Sequence, residues 1–597
     1  MDSSGNIYLD CSAAQQQRLL EDSGSADPTM DILQCVSDSY QTIQDDRQEN
    51  LRSFLLVVCG GMIFFMQSGF AMMCAGSVRL KNVQNTMLKN LLDACGAALA
   101  FYLVGYAFAF GRDLDTPEPT SDRTTFVGTQ NFVSVGSSPA FWFFEFTFSA
   151  TSVTIVAGTL AERCQMAAYL AYSVVLAGFI YPVVAHSVWS EEGFLSRTNE
   201  NPFMDQGVID FAGAGVVHLN GGLIALYATL VLGPRRGRFY DAQGDPLEKP
   251  LPFPGHSVAL QLLGTMILWF GWFGFNPGSA LLLQENERFG NVAANAAVAT
   301  ALSGASGGIC ALFTNLWWEE RMTGEPKFVI QMAMNGALSG LVAVTSGCAV
   351  MRPYAAIITG AIAGWIYMLS SSLLIRYRID DAVNAIPVHM FNGCWGLIAT
   401  GLFAHPELLE ITYNNRPADH PGFFYSFANG GADGNLLLCQ FCAVLFILGW
   451  TFITMFPFFI WLNYRGWLRA DSLEELVGLD VSYHGRSTHD ENSGIKKEYI
   501  EAYNRYKGTI RQQRSHHHGH NNSNPDRDQL VFDTTPSMED TEHRMMSPHE
   551  EVSHYNETIS RCHTREKEDK RTEEETSTKS TTLKDSKEDL NDMDHCK

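Results

Sequence analysis

Residues 210–222, DFAGAGVVHLNGG, put a carboxylate and an imidazole into an otherwise apolar segment. Asp210 stands near the start of the predicted helix, and His218 follows eight residues later. At about 1.5 Å of rise per residue the two lie roughly 12 Å apart along the helix axis, so the acid can lie near a membrane surface while the histidine approaches mid-bilayer. Ionisable groups at that depth are costly unless they face a polar path or each other.

A second copy of this arrangement occurs later in the chain. Residues 381–393, DAVNAIPVHMFNG, again place an acid, Asp381, eight residues before a histidine, His389. The two histidines are 389 − 218 = 171 positions apart, about half the length of the apolar part of the chain. This spacing indicates a duplicated half.

The distribution of charge separates an apolar middle from two polar ends. The chain has 597 residues and a net charge of −23. Residues 51–463 carry only 26 acids and 19 bases, too few for a soluble surface of that size. Apolar runs recur there that are long enough to cross ~30 Å of hydrocarbon. We therefore predict an all-α polytopic membrane protein, and the shared net charge gives no indication of a nucleic-acid partner.

The hydropathy pattern predicts eleven transmembrane helices, an inverted repeat of five plus five followed by a final helix. The spans are expected at about 53–76, 90–110, 140–160, 166–188, 206–232, 257–283, 292–316, 329–351, 354–375, 382–404 and 435–463. Because five is odd, the second half enters the membrane in the opposite orientation. The histidine-bearing fifth and tenth helices then meet near the midplane.

Basic residues concentrate in alternate loops, which predicts the orientation. The richer set contains Arg79, Lys81, Lys89, Arg163, Arg235, Arg236, Arg238, Lys249, Arg321, Lys327, Arg376 and Arg378. We expect these loops to be cytoplasmic, so that the N-terminus is extracellular and the C-terminus cytoplasmic.

Four segments follow from these patterns. Residues 1–50 form an extracellular N-terminal segment and residues 51–463 the membrane domain. Residues 464–509 form an ordered cytoplasmic segment with a short helix at about 472–477, begun by a capping box of Ser472 and Glu475. Residues 510–597 form a cytoplasmic tail whose composition predicts disorder. The tail histidines fit a solvated polar tract better than a metal site, so we expect no metal.

Several longer motifs resemble the ammonium transporter family (the Amt, Mep and Rh proteins), and most closely an Amt-type member from a eukaryote. They are AGTLAER at 157–163, YPVVAHSVW at 181–189, DFAGAGVVH at 210–218, GWFGFNPGSA at 271–280, VHMFNGCWGLIATGLF at 388–403 and DSLEELVGLDVSYHG at 471–485. The resemblance implies a transporter and not an enzyme, without a cofactor. By the same resemblance, the protein would carry ammonium or methylammonium across the plasma membrane as a homotrimer with one pore in each subunit.

The resemblance also implies an outer site and a gate. Trp189, Phe148 and Ser279 would line a recruitment site, where aromatic faces attract a cation and a hydroxyl accepts one of its N–H donors. Phe148 and Phe275 match the stacked phenylalanines that close the pore. Trp272, three residues before Phe275, shares its helix face and would back this gate.

The two histidines match the pore-lining pair of the family. Neutral imidazoles each offer one donor and one acceptor, so His218 and His389 in contact can pass a proton or hydrogen-bond NH3. Asp210 matches an acid that we expect to accept backbone N–H groups at the start of its helix and to supply a fixed negative potential.

Two residues depart from the family pattern, and a third marks a regulatory site. Asn384 stands where many members have an aspartate, so that role is absent or passes to Asp380 or Asp381. Glu145 replaces an uncharged glutamine one turn from Phe148, where an acid either strengthens cation recruitment or pairs with a neighbour. Ser482 corresponds to a phosphorylated threonine of plant members.

Three alternatives remain open from sequence alone. A membrane enzyme with a His/Asp metal site would need a third ligand or a nucleophile motif, and neither GxSxG nor HExxH occurs. An ammonium sensor that signals through its tail could coexist with transport. Cys11 and Cys35, both in the polar N-terminal segment, could link to each other or to neighbouring subunits.

Overall fold

The computed structural model describes residues 28–111, 124–241, 243–283, 288–413, 420–484 and 500–508 except 502 and 506. The chain divides into two compact units, one of residues 1–234 and 253–500 and the other of residues 235–252 and 501–597. Throughout the described residues the first unit is helical and contains three isolated β-bridges. The predicted all-α class is confirmed.

The helices of the first unit are numbered here in chain order, with neighbouring α, π and 3-10 stretches joined and the short 3-10 turns Phe132–Ser134 and Phe203–Asp205 left unnumbered. They are α1 Pro28–Ser77, α2 Leu80–Phe110, α3 Pro139–Thr159, α4 Met166–Trp189, α5 Ala214–Leu232, α6 Val258–Leu282, α7 Phe289–Thr323, α8 Ile330–Val344, α9 Pro353–Arg376, α10 Ile386–Phe391 with Asn392–Phe403, α11 Pro406–Thr412, α12 Phe423–Ala428, α13 Asn435–Tyr464, α14 Ser472–Val477 and α15 Leu479–His484.

Within the described residues, nine helices are long and apolar enough to cross a membrane. The two other predicted spans correspond to α8, which has 15 residues, and to α10, whose two stretches have 6 and 12 residues. The chain is therefore a multi-pass membrane protein, and the count of eleven stays a prediction.

Two predicted spans are longer in the structure than the hydropathy pattern indicated. Helix α1 begins at Pro28, well before the expected residue 53, and its added turns are exposed or partly buried where they are described. Helix α2 begins at Leu80, and Lys89 is buried within it instead of lying in a loop. The Lys89 ammonium donates to the Cys164 carbonyl at 2.6 Å. This hydrogen bond stabilises an amino group that the charge pattern had placed in a solvated loop. The assignment of Lys89 to a loop is wrong.

The two histidine-bearing helices share an unusual start and pack closely against each other. Each begins with a π-helical turn, Ala214–Leu219 in α5 and Ile386–Phe391 in α10. Such turns are rare and often mark functional sites. A Cβ on Gly222 would collide with the backbone of Met390, and a Cβ on Gly393 would collide with the carbonyl of Ala214. Glycine at these two positions, again 171 residues apart, allows the close approach of the two helices.

The segment after the last long helix is described up to residue 484 and forms the expected helix at Ser472–Val477. Its capping box is one residue earlier than predicted, since Asp471 and Glu474 form it and not Ser472 and Glu475. Glu475 instead forms an ion pair with Arg469, whose guanidinium nitrogen lies 2.9 Å from a carboxylate oxygen. The helix is confirmed and the capping pair is wrong, because Glu475 finds a cationic partner in this fold.

The second unit contributes a loop and a short helical stretch. In the loop, Tyr240 and Pro246 form an isolated bridge, and the Asp241 carboxylate accepts the backbone N–H groups of Gln243 and Asp245. Residues 501–508 are helical where they are described. The tail from residue 509 onward, with its predicted disorder and its histidine cluster, lies outside the described residues.

Candidate functional site

The start of each histidine-bearing helix is capped by the acid that the sequence pattern singled out. The Asp210 carboxylate accepts the backbone N–H groups of Gly215 at 2.8 Å and Val216 at 2.9 Å. At the equivalent position, Asp381 accepts those of Val383 at 3.1 Å and Ile386 at 2.7 Å. Free N–H groups at a helix start favour negative charge, so both acids stabilise the turns that position the histidines.

His218 and His389 meet in the interior. Their side chains are buried, their Nδ1 atoms lie 3.2 Å apart, and their ring centroids are separated by 5.2 Å. One Nδ1 carries a proton and donates it to the other, which accepts. The Nε2 atom of His218 is buried and has no hydrogen-bond partner among the described residues. It therefore remains available to a small polar ligand.

Aromatic rings stack directly on the His218 face. Trp272 and Phe275 lie with their ring centroids 5.4 Å and 5.5 Å from that of His218, both nearly parallel to it. Phe275 in turn packs on Phe148 at a centroid distance of 4.1 Å. Phe148, Phe275, His218 and His389 thus form one continuous column of buried rings. The two phenylalanines would have to move before a solute reached the histidines from that side.

The Phe148 end of this column is covered by Trp189, which is only half-buried. Its ring packs edge-on against Phe148 with centroids 5.8 Å apart, and its Nε1 donates to the Asp210 carbonyl at 2.7 Å. The Ser279 hydroxyl donates to the Phe275 carbonyl at 2.9 Å, which leaves its oxygen lone pairs free to accept. An aromatic face and an acceptor hydroxyl therefore both lie beside the stacked phenylalanines.

A backbone feature precedes each histidine by five residues. Gly213 has a φ of +98° and Asn384 a φ of +61°, and 384 − 213 = 171 relates them as it relates the histidines. A Cβ on Gly213 would approach the Trp189 ring at 3.1 Å. Asparagine tolerates the left-handed conformation better than most residues, which gives Asn384 a backbone role. The acid that caps this second segment is Asp381.

One arginine, which sequence reasoning treated only as a loop charge, binds both the residue after the first histidine-bearing helix and the residue before the second. The Arg163 guanidinium donates to the carbonyls of Gly233 at 2.8 Å, Asp380 at 2.7 Å and Thr159 at 3.0 Å. Gly233 follows the first histidine-bearing helix, and Asp380 precedes the second. The signal for this role was available in the AGTLAER stretch.

Two further contacts were missed by sequence reasoning. Phe70 of α1 lies with its ring centroid 6.2 Å from that of His389, on the far side of the column. The Thr345 hydroxyl accepts from Trp272 Nε1 at 3.1 Å and fixes the ring that stacks on His218. Neither residue belongs to a stretch with a distinctive pattern, so nothing in the sequence pointed to them.

Two predicted site residues lie apart from the column. Glu145 is on α3 with 1% of its surface exposed, and its Oε2 atom has no hydrogen-bond partner among the described residues. Ser482 is on α15, where its hydroxyl donates to the Gly478 carbonyl at 3.2 Å. In the described part of the chain, no group of three or more His, Cys, Asp or Glu side chains could jointly hold a metal ion.

Comparison with known proteins gives consistent similarities. The Ammonium Transporter Family matches residues 54–489. Ammonium transporter 1 member 3 of Solanum lycopersicum is 39% identical over 459 residues, which cover 74% of this chain and 94% of that protein. A solved structure named Sensor Amt Protein is 28% identical with a TM-score of 0.60, covering 73% of this chain and 99% of that one. Candida albicans Mep2 has the same fold at 24% identity and a TM-score of 0.60, covering 74% and 92%.

Proposed function

The chain belongs to the Ammonium Transporter Family, and from this premise we propose that it conducts ammonium through the ring column described above. The observation that carries the proposal is the 3.2 Å contact between His218 and His389 behind the stacked phenylalanines. Their mutual hydrogen bond also favours conduction over a metal hydrolase, in which both rings would turn toward a metal.

The chemistry of the column suits a cation that loses a proton on the way. Ammonium would be recruited at the outer end by the faces of Trp189 and Phe148, an attraction of about 2 kcal/mol when desolvated, and would donate to Ser279. Beyond the gate the path is lined by neutral rings, so a bare cation is disfavoured there. Ammonia, or ammonia with a separately moving proton, would pass the histidines, with His218 Nε2 as a partner.

Uptake by purified protein in liposomes tests this function directly. Vesicles that contain the full-length chain should accumulate labelled methylammonium faster than empty vesicles, and ammonium should compete while K⁺ should not. Equal uptake in both kinds of vesicle would contradict transport. Ammonium-evoked current recorded together with internal pH would distinguish NH4⁺ movement from NH3 movement.

We propose further that the protein is a plasma-membrane homotrimer with an extracellular N-terminus. One histidine pair and one gate in each chain support a pore in each subunit. Cys35 is disulfide-bonded, while Cys11 lies outside the described residues. Non-reducing gels of Cys11→Ser and Cys35→Ser variants test whether the bond joins subunits, since unchanged mobility in both would exclude an intermolecular link.

The cytoplasmic segment is proposed to regulate conduction, with Ser482 as the modification site. Its neighbour Asp480 accepts the backbone N–H groups of Gln84 at 3.0 Å and Asn85 at 2.8 Å, and the Leu479 N–H donates to the Asn82 side chain. A phosphate on Ser482 would add about −1.5 to −2 charges two residues from that buried carboxylate. The repulsion would release the segment from the start of α2.

Substitutions of Ser482 test this regulation. Ser482→Asp should silence methylammonium uptake at unchanged surface abundance, whereas Ser482→Ala should conduct, because only the first adds negative charge. If both variants conduct like the unaltered protein, the switch is not at Ser482.

A sensor function is the second candidate, supported by the similarity to the Sensor Amt Protein over 99% of that chain. It predicts an ammonium-dependent cellular response that persists when conduction is removed. A response that disappears together with flux would favour transport alone.

A further inference from the structure

The turn that joins α3 to α4, residues 160–165, has a strained residue near its centre. Glu162 is buried and has a φ of +74°, although it is not a glycine. A residue with a Cβ disfavours this left-handed conformation, so contacts from the surrounding structure must hold it. The Asn82 amide donates to the Glu162 carboxylate at 2.9 Å, and the Arg79 guanidinium donates to it as well. The α3–α4 turn is therefore held from the start of α2.

Lys89 holds the same turn from further along α2. Its buried ammonium donates to the Cys164 carbonyl at 2.6 Å and lies 4.3 Å from the centroid of the Tyr169 ring. Asp93 follows one turn later on the same face of α2, and its carboxylate accepts the Tyr172 hydroxyl at 3.1 Å. A buried ammonium is costly unless it has an acceptor, an aromatic face or an opposite charge nearby. This environment therefore fixes the Lys89 ammonium and, through it, the Cys164 carbonyl.

Arg163 extends from the same turn toward both histidine-bearing segments. Its guanidinium donates to the Gly233 carbonyl at 2.8 Å and to the Asp380 carbonyl at 2.7 Å. The residue after Asp380 is Asp381, which caps the π-helical turn that contains His389. Because the guanidinium is a rigid planar group, the position of its backbone determines which carbonyls it reaches. Hydrogen bonds and chain neighbours thus connect the α3–α4 turn with His389.

We propose that Lys89 is a positioning residue for the histidine pair and that it acts through the α3–α4 turn and Arg163. Without the Lys89 ammonium the strained turn relaxes, and Arg163 loses its hold on the segment that precedes His389. The 3.2 Å contact between the Nδ1 atoms of His389 and His218 then loosens. The inference rests on the proposed conduction of ammonium and assigns a residue that sets the geometry of its histidine pair.

Lys89→Met tests this role, because it keeps most of the apolar side chain and removes the charge and the N–H donors. Methylammonium uptake by the full-length protein in liposomes is measured over a range of methylammonium and K⁺ concentrations. The maximal rate per folded protein should fall roughly threefold to tenfold. K⁺ should inhibit uptake, because a loosened histidine contact excludes it less strictly. The half-saturating concentration should stay unchanged, because Trp189, Phe148 and Ser279 keep their places. Lys249→Met, in an exposed loop, is the matched control and should behave like the unaltered protein.

A double variant separates positioning of the histidine pair from a general loss of stability. In the His389→Ala background, Lys89→Met should cause no further loss of maximal rate or of discrimination against K⁺, because the ring that Lys89 positions is already absent. Losses that multiply in the double variant would overturn the proposal. An unaltered maximal rate and unaltered discrimination against K⁺ in a folded Lys89→Met protein would overturn it as well.

Arg163→Lys covers the case in which Lys89→Met does not fold. A lysine keeps the charge but lacks the planar fork that binds carbonyls of two segments at once. This variant should therefore show the same lower maximal rate and the same inhibition by K⁺. Unaltered transport in Arg163→Lys would overturn the proposal while leaving ammonium conduction intact. Absence of uptake by the unaltered protein would overturn conduction itself and this inference with it.

Discussion

The two histidine-bearing segments have the same design but different surroundings. Asp210 and Asp381 both cap a π-helical turn that presents a histidine, and Gly222 and Gly393 both let the partner helix approach. Asp210 is fully buried, whereas Asp381 is only half-buried. The backbone geometry of the pair is thus shared, and the environment of the acids is where the halves differ.

The surroundings of the histidines differ as well. His218 is covered by two stacked aromatic rings, while His389 faces Phe70 at a longer distance. The stacked phenylalanines therefore lie on the His218 side of the pair, with Phe148 contributed by the first half and Phe275 by the second. The two halves thus share the histidine contact and differ in the aromatic rings that cover each histidine.

Removal of either histidine should have the largest effect on function. His218→Ala and His389→Ala each leave a buried ring nitrogen without its partner, which costs roughly 1–3 kcal/mol. We expect methylammonium uptake to fall by about tenfold or more, or discrimination against K⁺ to be lost, in both variants alike. His256→Ala, before α6 and outside the column, is the control. Unaltered flux and selectivity in both single variants would show that the pair is only structural.

Alanine at the crossing glycines should reduce stability next most strongly. Gly222→Ala and Gly393→Ala force the two helices apart and should lower the free energy of unfolding by about 1–3 kcal/mol. Thermal unfolding in detergent measures this. Gly449→Ala is the matched control, since a Cβ there meets nothing within 4 Å. A loss at Gly449 as large as at the other two would mean that helix crossing is not the cause.

Substitution of the two capping acids should lower the stability of the protein by different amounts. Asp210→Ala should lower the unfolding free energy by about 2 kcal/mol and Asp381→Ala by about 1 kcal/mol, because only the first removes a fully buried cap. The same thermal assay compares them. Equal losses of unfolding free energy in the two variants would show that burial of the capping acid has no influence on its contribution to stability.

Substitutions at the two residues with positive φ, Gly213 and Asn384, should give the smallest expected difference in unfolding free energy. Gly213→Ala should cost about 1–2 kcal/mol, since alanine disfavours positive φ and its Cβ would press on Trp189. Asn384→Ala should cost less than about 1 kcal/mol, because asparagine already carries part of that strain. Asn384→Gly should be neutral or slightly stabilising, and a large loss there would point to a role for the amide itself.

Much of this arrangement could be predicted from sequence, because acids and histidines are conspicuous among apolar residues. The repeat of 171 positions predicted the histidine contact, and hydropathy located the long helices. The π-helical turns could not be predicted, since an extra residue in one turn hardly alters the hydrophobic pattern. The buried position of Lys89 was missed for a related reason, because it depends on one distant carbonyl.

The surroundings of individual side chains were harder to predict than their presence. Trp272 was expected to back the gate, yet its ring also stacks on His218, which depends on rotamers and on Thr345. Glu145 was expected at an outer recruitment site, and its burial follows from helix packing that the hydrophobic pattern does not show. The capping pair of α14 lies one residue earlier than predicted because Glu475 forms an ion pair with Arg469.

A double-mutant cycle on His218 and His389 tests most directly the claim that the two halves act through one shared contact. Methylammonium uptake and its inhibition by K⁺ are compared for the two single alanine variants and the double variant at equal surface abundance. If the rings act as one unit, the double variant should lose no more flux than either single variant, because the shared hydrogen bond is already gone. Losses that multiply in the double variant would contradict a single shared conduction element.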